Sequence, residues 1–257
     1  MAAFAGRDWD AATYERVSEP QLRWAREQLE RIRLRGDEVV LDAGCGSGRV
    51  TALLCERVPR GRLYAVDVAP SMVAYAKSAL RGRATVLCQD LVELSLPEPV
   101  ELVFSNATFH WIRDHEALFA ALARNMRPGA RLLAQCGGRG NIARFRRVAE
   151  EVAGEPCFHR HFAGWPQPWR YASAEGTERR LRRAGFAQVR CWLERRPTVP
   201  PAPREFVRAV CLVRQLEALP AGLREPFLER VLARWREHVG DPPVLDYVRL
   251  NMTAVRP

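Results

Sequence analysis

The stretch Val39-Val40-Leu41-Asp42-Ala43-Gly44-Cys45-Gly46-Ser47-Gly48 constrains this chain most, because it joins a buried-strand pattern to a glycine turn that opens a helix. Val39 to Leu41 is short, apolar and β-branched, and Arg35-Gly36-Asp37 bounds it upstream. That pattern suits a central strand of a parallel sheet. Gly44, Gly46 and Gly48 remove side chains where a backbone turns tightly and a ligand approaches, and helical periodicity restarts at Arg49. The free N–H groups at such a helix start face a ligand.

The spacing is G-x-G-x-G with an acid, Asp42, two residues before the first glycine. The dinucleotide fingerprint is G-x-G-x-x-G and lacks that acid. A carboxylate at the strand tip suits an ammonium group better than a pyrophosphate, which points to S-adenosylmethionine (SAM). Arg62 to Asp67 reads as a second strand ending in an acid, where α/β nucleotide sites keep a carboxylate for the ribose hydroxyls. Pro70 starts the next helix, over Ser71 to Leu80. Ala84 to Cys88 is a third strand, followed by Gln89-Asp90-Leu91, and Val100 to Phe104 a fourth, followed by Ser105-Asn106-Ala107-Thr108-Phe109-His110-Trp111. A helix from His115 to Arg127, the turn Pro128-Gly129 and a strand over Ala130 to Cys136 complete five β–α units.

The order D-A-G-C-G-S-G, then Asp67, then Asp90, then S-N-A-x-x-H-W resembles the class I SAM-dependent methyltransferases, within them the trans-aconitate 2-methyltransferase-like subgroup, over residues 9 to 194. The resemblance implies an α/β, Rossmann-like seven-stranded sheet with helices on both faces and a helical cap. It implies that Asp42 and Gly44, with Cys45 and Gly46 in the same loop, lie near the methionine moiety, and that Asp67 holds the ribose. Val68 and Met72 then pack on adenine, Asp90 beside Leu91 takes the adenine amino group, and Ser105, Asn106 and Ala107 line the methyl-transfer end. The implied cofactor is S-adenosyl-L-methionine, with S-adenosyl-L-homocysteine as product.

Charge and cysteines narrow the class. Net charge is +10, but Lys77 is the single lysine among 40 basic residues, a skew that reads as GC-rich coding bias in a bacterial chain. Arg23, Arg26, Arg31, Arg33 and Arg35 alternate with Glu27 and Glu30, the pattern of a solvated helical face and not a phosphate-binding stripe. The seven cysteines form no C-x-x-C pair and read as reduced, with Cys45 a small side chain under the cofactor and not a nucleophile. No stretch reaches membrane-span length and Met1 to Asp8 has no apolar core, so a cytoplasmic protein is expected.

Two segments flank the α/β unit. Residues 1–35 form an N-terminal helical segment with Leu22, Ala25, Leu29 and Ile32 at helical spacing, and in related methyltransferases such a helix covers the methionine end, so Tyr14 and Gln21 are expected there. Residues 36–194 are the SAM-binding core, ending in a sixth strand over Gln188 to Glu194. Residues 195–243 are a helical cap insertion with repeats at Phe206, Val210, Val213 and Leu216, then Leu223, Phe227, Val231 and Trp235. Residues 244–257 carry the last strand, antiparallel to the sixth. Between them the aromatic loop Phe158 to Tyr171 is long enough to be functional. Its His159-x-His161 pair lacks further ligands at metal-site spacing, so no metal is expected.

Methyl transfer asks mainly for positioning and desolvation. His110 follows the fourth strand and is either a base or an orienting donor. A carboxylate acceptor needs no base, whereas a hydroxyl or carbon acid does. The partner expected is a small-molecule acceptor, with Arg139 and Arg170 at the pocket mouth as candidate carboxylate holders. A nucleic-acid methyltransferase is the alternative, disfavoured because the fourth strand does not end in an N/D-P-P-Y type of motif. A non-catalytic SAM-binding protein is the third reading.

Overall fold

The computed structural model describes residues 15–257; Tyr14 lies outside them. Seven strands form one sheet in the order β3-β2-β1-β4-β5-β7-β6. In chain order they are β1 (Val39–Ala43), β2 (Arg62–Asp67), β3 (Thr85–Cys88), β4 (Val100–Asn106), β5 (Met126–Gly137), β6 (Ala187–Arg195) and β7 (Val248–Val255). β1 to β5 pair parallel, while β7 inserts antiparallel between β5 and β6. The chain leaves β1 toward β2 on one side and places β4 on the other, so a crevice opens at the carboxyl ends of β1 and β4.

Alternation along each strand fixes the layers. Val40, Leu63, Leu102, Phe104 and Leu133 face helices α1 (Glu19–Leu29) and α2 (Arg49–Arg57), and α3 (Pro70–Leu80) covers Ala65 and Val86. Val39, Leu41, Ala43, Val66, Val103 and Leu132 face the other way, toward α4 (His115–Arg124) and α7 (Ala174–Arg183). All five residues of β1 are buried, as a strand covered on both faces must be.

A second core lies where β5 ends and β7 begins. It joins α5 (Ala143–Ala153), Phe158 just before the short α6 (His159–Phe162), and the run α8 (Pro203–Phe206), a π-helical turn (Val207–Cys211), α9 (Val213–Ala218) and α10 (Ala221–Val239). Residues 195–243 do not build this core alone, since α5 and Phe158 come from the preceding stretch and Val17 and Trp24 from the N-terminal one.

Several boundaries differ from the sequence expectation for physical reasons. Pro128-Gly129 lies inside β5 as an irregularity, with Gly129 at φ 80° and the register jumping from Val100↔Met126 to Leu102↔Arg131, so the strand begins earlier than Ala130. The last strand starts at Val248 and not Val244, because Pro242 and Pro243 cannot donate to a ladder and Leu245 pairs with Thr198 in an isolated bridge. Surface arginines are drawn into ion pairs, among them Arg204 with Glu225 (2.6 Å) and Glu229 (2.8 Å), and Arg234 with Glu155 (3.0 Å). No helix among the described residues is long and apolar enough to cross a membrane.

Trp235 joins the two main helices of the second core: it is fully buried, with its ring edge-on to Phe145 at 5.2 Å. Trp235→Ala is expected to cost about 3 to 5 kcal/mol in denaturant unfolding. A loss below about 1 kcal/mol would mean that the layer does not fold as part of the whole.

Candidate functional site

The glycine loop is shaped by close approach on one side and open space on the other. Gly44 has φ 86°, and a Cβ there would lie 2.1 Å from Thr108 of the β4 loop, so only glycine lets the tips of β1 and β4 meet. Val66 O accepts from the backbone N–H of Gly44 (2.8 Å) and of Cys45 (3.0 Å). A Cβ at Gly46, by contrast, would meet nothing within 4 Å. The loop therefore presents bare backbone to the cavity.

Two carboxylates stand in this loop. Asp42 is 1% exposed and accepts from Thr51 Oγ1 at 2.7 Å. Burial, aided by the Asp67 charge, pushes its pKa up to about 7. Asp67 ends β2 with Oδ2 accepting from Gly46 N and Oδ1 from Ala69 N, both at 2.9 Å. Burial raises its pKa against those backbone donors. Burial likewise lifts the Cys45 thiol well above its ordinary range, with Asp42 and Asp67 adding to the effect, so it is a neutral thiol and not a nucleophile. Val68, Met72, Asp90 and Leu91 line the same cavity. Asp90 also caps the short turn Leu91–Glu93 by accepting from Val92 N (3.1 Å).

The carboxyl end of β4 forms the opposite wall. Asn106 is clamped to α1: its Nδ2 donates to Gln21 O (2.9 Å) and its Oδ1 accepts from Gln28 Nε2 (3.3 Å). Ala107 sits at φ 59°, a left-handed conformation uncommon for a residue with a Cβ. Gln21 lines the cavity and leaves a buried Oε1 without a hydrogen-bond partner among the described residues. Ser105 departs from expectation: it is 1% exposed, its hydroxyl donates to Ala43 O at 2.7 Å, and it stands behind the cavity wall, pinning β4 to β1.

His110 lines the cavity in a buried position, its Nδ1 accepting from Gly137 N at 3.3 Å. Desolvation, then the Arg249 and His115 charges, hold its pKa well below 6.5. The ring is neutral, and an accepting Nδ1 assigns its proton to Nε2. Nε2 is therefore the donor nitrogen of a ring that lines the cavity. Its ring neighbours are Trp111 (5.2 Å) and Tyr171 (5.7 Å), with Trp169 stacked on Tyr171 at 5.8 Å and 8°.

The arginines singled out in the sequence are not on this wall. Arg139 is exposed, and Arg170 donates to Arg113 O and, through its backbone N, to His110 O (2.8 Å). The cavity is lined instead by Arg249 and Arg214, with Arg49 at the loop. Arg249, on β7, is 2% exposed; its Nε donates to Gln135 Oε1 (3.2 Å) and its guanidinium lies 4.5 Å over the Trp24 ring. Sequence reasoning missed it, although a charge inside the run Val248-Arg249-Leu250-Asn251-Met252 of a strand closing a sheet is the signal that marks it. Tyr247, Val210 and Cys211 were missed too, because only the fold brings them to this wall. His159 and His161 belong to no metal-holding group, for none of three or more ligating side chains exists among the described residues.

The residues fit SAM on two counts: a buried carboxylate whose ionised form calls for a cation, and the space above Gly46 that backbone alone faces. Comparison with known proteins agrees. Residues 40–129 match the model of a methyltransferase domain. The chain is 34% identical over 187 residues to a trans-aconitate 2-methyltransferase of Methylobacterium nodulans, covering 72% of this chain and 67% of that one. It is 38% identical over 125 residues to a malonyl-[acyl-carrier protein] O-methyltransferase of Anoxybacillus flavithermus, 48% of each. For most of the curated relatives it matches, the chain thus spans only about half their length. A Haemonchus contortus phosphoethanolamine N-methyltransferase solved with SAM shares the fold, with TM-score 0.63 and 18% identity over 96% of this chain and 56% of that one. So does the Bacillus subtilis YcgJ protein, with TM-score 0.63 and 15% identity over 90% and 97%. Sheet order, glycine loop and sequence likeness converge: the chain belongs to the class I SAM-dependent methyltransferases, in the trans-aconitate 2-methyltransferase-like subgroup.

Proposed function

We propose that this protein transfers the methyl group of SAM to a carboxylate oxygen of a small organic acid in the bacterial cytoplasm. The observation that carries the reading is the state of His110. It is buried, neutral and already accepting at Nδ1, so it offers the acceptor a hydrogen-bond donor and no base. A hydroxyl or carbon acceptor needs a base, whereas a carboxylate is ionised at neutral pH and needs only to be held and desolvated. The named activities of the relatives support the same choice.

In this reading Asp42 faces the cofactor's ammonium group, Asp67 holds the ribose hydroxyls, and Val68, Met72, Asp90 and Leu91 form the adenine end. Bound SAM would supply an activated methyl group, which an ionised carboxylate oxygen could accept with no proton to remove. His110 Nε2–H and the Arg249 guanidinium orient the acceptor carboxylate. α1, pinned through Asn106, closes the methyl-transfer end against water.

Calorimetry with SAM, together with detection of methyl esters from a panel of organic acids, tests the reading. Asp67→Ala is expected to weaken SAM binding by about 1.5 to 3 kcal/mol, the range for hydrogen bonds to a charged group. Unchanged affinity would remove Asp67 from the site.

Asp42 sets a pH dependence. Its carboxyl is protonated below about 7 and ionised above, and a cation binds the ionised form better. SAM affinity is therefore expected to rise about fivefold from about pH 6 to about pH 7, with proton release on binding, and to level off toward about pH 8 where the ligand's own ammonium group loses its proton. Asp42→Asn should bind weakly at every pH and flatten the profile. A pH-independent wild type would contradict the ammonium contact.

At saturating SAM, His110 gives the opposite signature. With a pKa already far below the assay range, the acceptor rate should show no inflection near about 6.5. His110→Ala is expected to lower kcat/KM about 10- to 100-fold by loss of a donor to a charged group, and His110→Gln to recover part of it. An inflection near about 6.5 that disappears in His110→Ala would make the residue a base and the acceptor a hydroxyl or carbon acid.

A further inference from the structure

Beyond Trp169 lies a second cavity of about 380 Å³, with an apolar side that includes Phe145, Ala149 and Phe162 and a polar side that includes Arg146, Glu150 and Gln215. Trp169 is the one described residue lining both this cavity and the first. From His110 the rings of Tyr171 and Trp169 follow in two steps of 5.7 and 5.8 Å, so one aromatic surface runs from the orienting donor to the second cavity. Arg146 caps that surface at 5.5 Å from Tyr171 and 6.0 Å from Trp169. Gln215, 6% exposed, leaves Oε1 without a hydrogen-bond partner on the second cavity's wall.

Resting on the carboxylate reading above, we propose that the acceptor is an elongated monocarboxylic acid, its carboxylate at His110 and Arg249 and its acyl or aryl tail running past Trp169 into the second cavity. Size permits it: apolar cavities of roughly 150 Å³ already take up benzene. Charge selects it over a compact polycarboxylate. The other arginines on the first wall are held by glutamates, Arg214 by Glu217 (2.9 Å) and Arg49 by Glu15 (3.2 Å) and Glu19 (3.0 Å). Further carboxylates on a compact acceptor would therefore be desolvated among Trp111, Trp169 and Tyr171, since the next cation, Arg146, lines the second cavity and not the first and is itself paired with Glu150 (3.4 Å). Gln215 gives the tail one acceptor, suited to a hydroxyl or amide N–H.

The test is methyl-ester formation by the full chain with SAM and butanoate, octanoate, dodecanoate, cinnamate or trans-aconitate, each checked by mass spectrometry. The expected result is a kcat/KM that rises with chain length, up to about fourfold per methylene that enters the cavity, with trans-aconitate below octanoate. Ala153→Phe, which fills the cavity from α5, should lower the ratio of dodecanoate to butanoate kcat/KM about tenfold. Ala163→Trp, at the exposed rim, gives a second obstruction that leaves the core packing alone, and calorimetric SAM affinity shows that each variant is folded. A flat series, a preference for trans-aconitate, or a ratio that neither variant changes would overturn the elongated acceptor while leaving carboxylate methylation standing. If SAM binds but only hydroxyl or amine acceptors are methylated, the carboxylate reading fails and this one with it.

Discussion

A carboxylate removed from water governs the rest of this site. Asp42 sits next to the end of the central strand with one neutral hydrogen-bond donor, Thr51, and with Asp67 as the nearby charge, so ionisation there is unfavourable until a cation arrives. The surrounding geometry keeps it in that position. Gly44 lets β4's loop close over the strand end, Val66 accepts two backbone N–H groups of the turn, and Asp67 is itself fixed by Gly46 and Ala69. The loop is rigid on its protein side and open on its cavity side, which is the arrangement a pre-formed cationic-ligand site requires.

The acceptor half is built differently, from segments far apart in the chain. Trp24 of α1 lies between the Arg249 guanidinium of β7 and the Tyr247 ring, which meets it edge-on at 5.0 Å. Arg249 in turn is tied to Gln135 of β5, and Gln135 donates to Asn251 at 2.7 Å. The buried guanidinium thus engages its Nε and its face. This lattice couples the N-terminal helix, the fifth strand and the last strand, so the second core and the cavity wall share residues.

How legible each half was follows from that difference. The cofactor half is written in contiguous signals: an apolar strand, three glycines, acids at the tips of β1 and β2. Such local patterns survive without knowledge of the fold. The sheet, including the antiparallel last strand, was legible through family resemblance. Arg249 and Tyr247 were not, because their partners Gln135 and Trp24 lie more than 100 residues away in the chain, and Arg214 was not, because arginine is so common here that no single one stands out. Ser105 was placed in the site with Asn106 and Ala107 by the family resemblance, yet strand alternation turns neighbouring side chains to opposite faces, and its hydroxyl goes to Ala43. Pro128-Gly129 looked like a strand boundary and is an irregularity within β5, since the pairing with β4 resumes on both sides of it.

The polarity of the cavity gives the proposed chemistry its physical sense. In the proposed reading Asp42 and Asp67 serve the cofactor end of the cavity they line, and Arg249 with His110 the acceptor end. A sulfonium and a carboxylate placed along that axis carry opposite charges that cancel as the methyl group passes. In water, solvation favours the separated ions and so opposes the step; in a buried pocket that penalty shrinks, and fixed protein dipoles and charges replace the lost solvent. A base would add nothing to such a reaction, and a second cation near the sulfur would repel it. The site's neutral histidine, its acids on the cofactor side and its arginine on the other are the distribution that charge-cancelling transfer needs. In that proposal His110, whose Nδ1 already accepts from Gly137, serves as a donor and not as a base.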